Sequence, residues 1–171
     1  MSIVTNGEIA NCLLVYFITI KGNLININMK NLFIEQPNDD IIIELEHLYS
    51  IDNGIINIGI EDYHSTISGA NNVIILKGKG TGSNRVSNAL EDAVLHSCKT
   101  AAEYDLFSAD KVIIKLFYPK ENQLMLEEAS GILDFAEMFT SKPTFIWGIS
   151  EMENIQDNVI AFIVASNLAK K

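Results

Sequence analysis

A chain of 171 residues with 48% hydrophobic content is long enough to bury one sizeable core and too apolar for disorder. Its 22 acidic residues against 12 basic ones leave a formal charge of −10, which argues against a nucleic-acid groove or an anionic membrane surface as partner. Cys12 and Cys98 lie far apart with no Cys-x-x-Cys spacing, so neither a disulfide framework nor a zinc site is signalled.

The first apolar stretch, "CLLVYFITI" over residues 12–20, is less than half a membrane span, and no basic region or cleavage site frames it as a signal. A cytoplasmic protein is expected. Followed by Lys21-Gly22-Asn23 and "LININMKNLFI", the stretch predicts a β hairpin. From Leu13 to Ile20 only Thr19 is polar, so a strand there needs cover on both faces. Either the hairpin folds back onto its own domain or a twofold contact with another copy supplies it, the second making Leu13, Val15, Phe17 and Ile20 candidates for self-association as a homodimer. Pro37-Asn38-Asp39-Asp40 then holds cap residues, "IIIELEHLYSI" fits a short helix best, with a strand the alternative for its three consecutive isoleucines, and Asp52-Asn53-Gly54 signals a turn. Residues 1–51 are therefore set apart from a domain spanning 52–171.

Within that domain a short helix is expected near Glu61–Ile67, then a buried strand in "NNVIILKGKG". Glycines 78, 80 and 82 invite comparison with a phosphate cradle, but the P-loop pattern puts Ser83 and Asn84 where glycine and lysine belong. The dinucleotide fingerprint fails as well, its third glycine falling on Ser83. A structural turn with Ser83 or Asn84 as helix N-cap is expected, with no cofactor. Val86, Ala89, Leu90, Ala93, Val94 and Cys98 mark one face of the next helix. "DKVIIKLFYP" reads as a strand. Leu126, Ala129, Ile132, Leu133, Ala136 and Phe139 make a second amphipathic helix from about Gln123, stopped at Ser141-Lys142-Pro143. "TFIWGIS" and "NVIAFIVAS" are expected as strands of a closing hairpin. The sum is an α/β fold in two layers, a mainly four-stranded sheet with helices on one face, preceded by the N-terminal hairpin.

His47, His64 and His96 fall on different elements with no i, i+4 pair, so no metal site is expected. Glu127-Glu128 reads as a solvated helix face, and Phe145 with Trp147, on one face of their strand, as core packing with a contact surface the alternative.

From Glu61 onward the order of elements and several stretches resemble the C-terminal domain of FtsZ, the bacterial tubulin homologue. The resemblance is carried by "GKGTGSNRVSNALEDAV", "ADKVIIKLF" and "FIWGISEMENIQDNVIAFIVAS", over roughly residues 52–166. It implies that the glycines do not belong to the nucleotide signature, which in FtsZ lies in the N-terminal GTPase domain. In FtsZ filaments an Asn-x-Asp-x-x-Asp loop of one subunit positions the water that attacks the neighbour's GTP. The aligned residues are Asn57, Gly59 and Asp62, so the first carboxylate is absent and an inactive loop is expected. The resemblance thus implies a non-catalytic protein-binding or assembly module for cell division or filament regulation, with FtsZ or a relative as partner. The alternative is a half-site that stimulates GTP hydrolysis by a partner in trans.

Overall fold

The computed structural model describes residues 54–95 and 103–171, and the backbone of two further strands, β1 (Val15–Ile20) and β2 (Asn23–Asn28). β1 and β2 pair antiparallel from Val15↔Asn28 to Ile20↔Asn23, the hairpin expected from the sequence, in a sheet of their own. Val15, Phe17 and Ile20, three of the residues singled out for self-association, fall on β1. Leu13 and the helix expected over 41–51 lie outside the described residues.

The main sheet has five strands in the order β3 (Gly54–Ile56), β7 (Thr144–Met152), β6 (Lys111–Pro119), β8 (Val159–Ser166) and β4 (Val73–Gly80). Its fifth strand, beyond the four expected, is the short Gly54–Ile56 segment at one edge. A second difference is larger: β7 and β8 do not form a hairpin, because β6 lies between them, parallel to β7 and antiparallel to β8. The reason is in β6 itself. Every residue from Val112 to Pro119 is buried, so the strand is covered on both faces and takes the centre. Helix α3 (Leu126–Glu137) provides the crossover that parallel neighbours β6 and β7 require, and β8 is left with the other side of β6.

Alternation along β6 divides the core. Val112, Ile114, Leu116 and Tyr118 join the main cluster with Val86, Ala89, Leu90 and Ala93 of α2 (Arg85–Leu95) and Ile132 and Phe135 of α3. Ile113 faces the other way, onto Tyr63 and Ile67 of α1 (Ile60–Ile67), with Val73 and Val164 alongside. Helices thus flank both faces instead of one, α1 on one side and α2 with α3 on the other. Each fully buried aliphatic or aromatic side chain here contributes roughly 1.5–3 kcal/mol.

The glycines are mostly strand. Gly78 and Gly80 sit inside β4, where a Cβ would come within 2.1 Å of Ala89 O and 1.8 Å of Arg85 O. α2 rides directly on their bare backbone, and of these three glycines Gly82 alone, at φ 82°, uses glycine's freedom to turn the chain. A two-stranded pairing of β5 (Tyr104–Asp105) with β9 (Ala169–Lys170) ties down the last residues.

Candidate functional site

The loop between β3 and α1 holds the residues that resemble the FtsZ catalytic loop. β3 pairs with β7 at Gly54↔Ser150 and Ile56↔Ile149, with a register slip between. The chain then crosses Gly148 so closely that a Cβ there would sit 2.7 Å from Ile58 Cγ1 and 2.8 Å from Ile56 O. Gly148 is therefore what lets the loop lie against the sheet. Tyr63 and Ile67 pin the helix that follows, and the Lys111 ammonium donates to Ser65 O.

Gly59 is the N-cap of α1, at φ −70°, and Asp62 is its third residue. Asp62 Oδ2 accepts the Gly59 N–H at 2.9 Å while the Asp62 N–H donates to Gly59 O at 3.1 Å. The retained carboxylate is thus turned back on its own helix, satisfying a donor that would otherwise be orphaned and complementing the helix dipole. Asn57, Gly59 and Glu61 are exposed beside it. The first carboxylate of the loop it resembles is absent at Gly59, and the Asp62 carboxylate is engaged in the cap. Space is not the obstacle: a Cβ on Gly59 would meet only Asp62 Oδ2, at 3.3 Å.

The glycine stretch is the other candidate. Around it the polar groups answer one another. The Lys79 N–H donates to Asp92 Oδ2 at 2.8 Å, Asn88 Nδ2 donates to Thr81 O at 2.8 Å, and the Asn88 N–H donates to Asn84 O at 2.9 Å. Asn84 thus precedes the first helical residue, as expected of a cap position, and no side-chain cap bond accompanies it. Arg85, only 3% exposed, points across to α3. Its Nε donates to Glu128 Oε1 at 2.7 Å, and its Nη2 donates to Glu128 Oε2 at 3.1 Å and to Gln123 O at 2.8 Å. Glu128 Oε2 also accepts the Met125 N–H at 2.9 Å, capping α3.

Glu128 is therefore no solvated face residue, and reading it as one missed the buried cation 43 positions earlier. The hydrogen bonds from Arg85, reinforced by the Met125 N–H and the guanidinium charge, hold its carboxyl below the ordinary carboxylate value against the opposing effect of burial. The guanidinium beside the glycines is held against α3 through Nε and Nη2, while its buried Nη1 has no hydrogen-bond partner among the described residues.

Lys115 was also missed. It is 3% exposed in the central strand, with its ammonium 5.8 Å from the Phe117 ring centroid, and burial pushes its pKa down. Its only signal in the sequence was a lone charge inside "VIIKLF". Phe145 and Trp147 are half-buried against the main core, as read. His64 is exposed on α1, and His47 and His96 lie outside the described residues. Among the described residues no three His, Cys, Asp or Glu side chains gather as a metal site, and no helix is long and apolar enough to cross a membrane.

No family model matches the chain. The cell division protein FtsZ of Porphyromonas gingivalis (strain ATCC BAA-308 / W83) is 26% identical over 113 residues, which is 66% of this chain and 24% of that protein, in its C-terminal part. Among solved structures, an FtsZ dimer from M. jannaschii superposes with a TM-score of 0.61 at 22% identity, over 75% of this chain and 37% of that one. A GDP-form TubZ protofilament from Bacillus thuringiensis serovar israelensis gives 0.56 at 12% identity, over 77% and 36%. This chain spans about a quarter of the curated relative and little more than a third of the solved chains. The chain resembles the C-terminal part of FtsZ, and its α/β fold matches that of FtsZ and TubZ structures.

Proposed function

We propose that this chain is a non-catalytic assembly module related to FtsZ, which docks on FtsZ or a filament-forming relative in the cytoplasm and acts in cell division or filament regulation. The observation that carries the reading is the loop of Asn57, Gly59 and Asp62: its missing carboxylate and its capped one leave a shape that a partner can recognise without the pair of anions that drives hydrolysis. Relatives support the assembly part, since they include a cell division protein, an FtsZ dimer and TubZ protofilaments. The test is co-sedimentation with FtsZ filaments of the same organism, with the GTPase rate read in parallel. Co-sedimentation at an unchanged rate is expected, together with no saturable binding of labelled GTP by the chain alone. A chain that stays in the supernatant, or that turns over GTP by itself, overturns the proposal.

The second reading, a half-site that stimulates a partner's hydrolysis, draws on Glu61, exposed one residue from the capped Asp62. It requires a rate increase that disappears with Glu61→Gln. Self-association through the N-terminal hairpin belongs to the same picture and is read by light scattering, with a dimer that becomes monomeric on Phe17→Asp as the expected outcome.

A further inference from the structure

Helix α3, with the sequence Leu-Glu-Glu-Ala-Ser-Gly-Ile-Leu-Asp-Phe-Ala-Glu, buries Gly131, Ile132 and Phe135. At 100° per residue the opposite direction is held by Leu126 and Leu133, seven apart and therefore in line. They are 86% and 63% exposed. Half-buried Ala129 and Ala136 run along one side of this line, and Glu127 and Asp134 along the other, with Glu137 at its end. Met125 and Met138, the residues that cap the two ends of the helix, are also exposed. Beyond Ala136 the stripe opens on a shallow hollow lined by Ala136, Glu137, Phe139, Lys142, Pro143 and Phe145.

Two features separate this face from ordinary surface. Leucines exposed at helical repeat, with small residues beside them and a hollow at the end, are the relief into which a second helix packs. The charge on the helix itself has one sign: α3 contains no basic residue, and among the described residues no hydrogen bond or ion pair reaches the carboxylates of Glu127, Asp134 or Glu137, whereas Glu128 on the inner side pairs with Arg85 and Lys142 stands only in the hollow past the helix end. Glu137 even sits in the last turn, where the helix dipole disfavours a carboxylate.

We infer that the outward face of α3 is a docking surface for a basic amphipathic helix of a partner protein. This rests on the assembly-module reading and gives its partner a chemistry. A second copy of this chain is the poorer occupant, because a twofold contact would set the row Glu127, Asp134 and Glu137 against itself on a chain of net charge −10. Leucines or aromatics of the partner fill the stripe and the hollow, and its lysines and arginines lie along the acidic row. A contact of one helix face falls below about 1,200 Å² in total, in the range of transient complexes.

Fluorescence anisotropy with the full chain tests this, using a labelled peptide of about 18 residues, five turns, with leucines on one face and flanking lysines and arginines. A peptide with glutamates in place of the basic residues is the control. Saturable micromolar binding of the basic peptide is expected, weakened by salt, while the acidic peptide does not bind. Leu133→Asp, and separately Glu127→Lys with Asp134→Lys, each lower affinity about tenfold or more with an unchanged circular dichroism spectrum, since these positions are solvent-facing. Equal binding of both peptides, no binding, or variants that bind like the wild type overturns the inference. So does a wild-type dimer that Leu133→Asp dissolves, which would make the face a contact between copies. If the chain co-sediments with FtsZ and Leu133→Asp does so equally, the docking surface fails while the module reading stands.

Discussion

Helices α1 and α3 start with the same device and differ in what lies behind it. In each, the third residue is acidic and its carboxylate accepts the N–H of the N-cap residue at 2.9 Å, Asp62 to Gly59 and Glu128 to Met125. Behind Glu128 stands Arg85, buried and bonded through two nitrogens, so the cap of α3 is also the joint between α2 and α3. Asp62 belongs to a loop whose neighbours Asn57, Gly59 and Glu61 are exposed. A cap alone is worth about 1 kcal/mol, whereas a buried ion pair that loses one partner costs several. The same local chemistry is a structural joint in one place and a replaceable fitting in the other, and the replaceable one occupies the loop that resembles a catalytic site.

Glu128→Ala tests the difference at its largest. It strands Arg85 with a buried charge and is expected to cost about 3 kcal/mol or more in urea unfolding. A loss near 1 kcal/mol would reduce Glu128 to a cap and erase the contrast. Acid sharpens it next. The folded carboxyl of Glu128 lies below its unfolded value of about 4.5, so its contribution is complete above that pH and is lost as pH falls through the folded value. Unfolding followed from pH 6 down to pH 3, roughly the carboxylate range, is therefore expected to show a steeper fall for the wild type than for Glu128→Gln.

Asp62→Ala removes only a cap, so about 1 kcal/mol is expected, and a partner's GTPase rate measured beside it stays where it was. A tenfold fall in that rate would show the loop to be catalytic after all. The smallest effect on stability is expected from Gly59→Asp, within about 0.5 kcal/mol, because the backbone is ordinary there and only Asp62 Oδ2 must give way. Its interest is in the rate: stimulation gained by Gly59→Asp would mark the loop as one carboxylate short of activity.

Much of the fold could be read along the chain. Period 3.6 located α2 and α3, apolar β-branched runs located β4, β6, β7 and β8, and Lys21-Gly22-Asn23 located the hairpin turn. The candidate loop was found by its resemblance, and its missing carboxylate is a fact of sequence. The roles of Gly78 and Gly80 were not legible, because a glycine that turns a chain and a glycine that lets a helix press on a strand look alike until the helix is placed. Nor was the use of Asp62 as a cap, which depends on where α1 begins.

What the sequence determined by itself is local: which segments form helices and strands, and which residue types the loop can offer, since both follow from periodicity and identity within a few residues of each other. What only the tertiary structure decided is which segments meet. β6 parts β7 from β8, α1 takes the face opposite α2 and α3, and Arg85 finds Glu128, because covering both faces of an apolar central strand and pairing a buried charge are conditions on the whole chain.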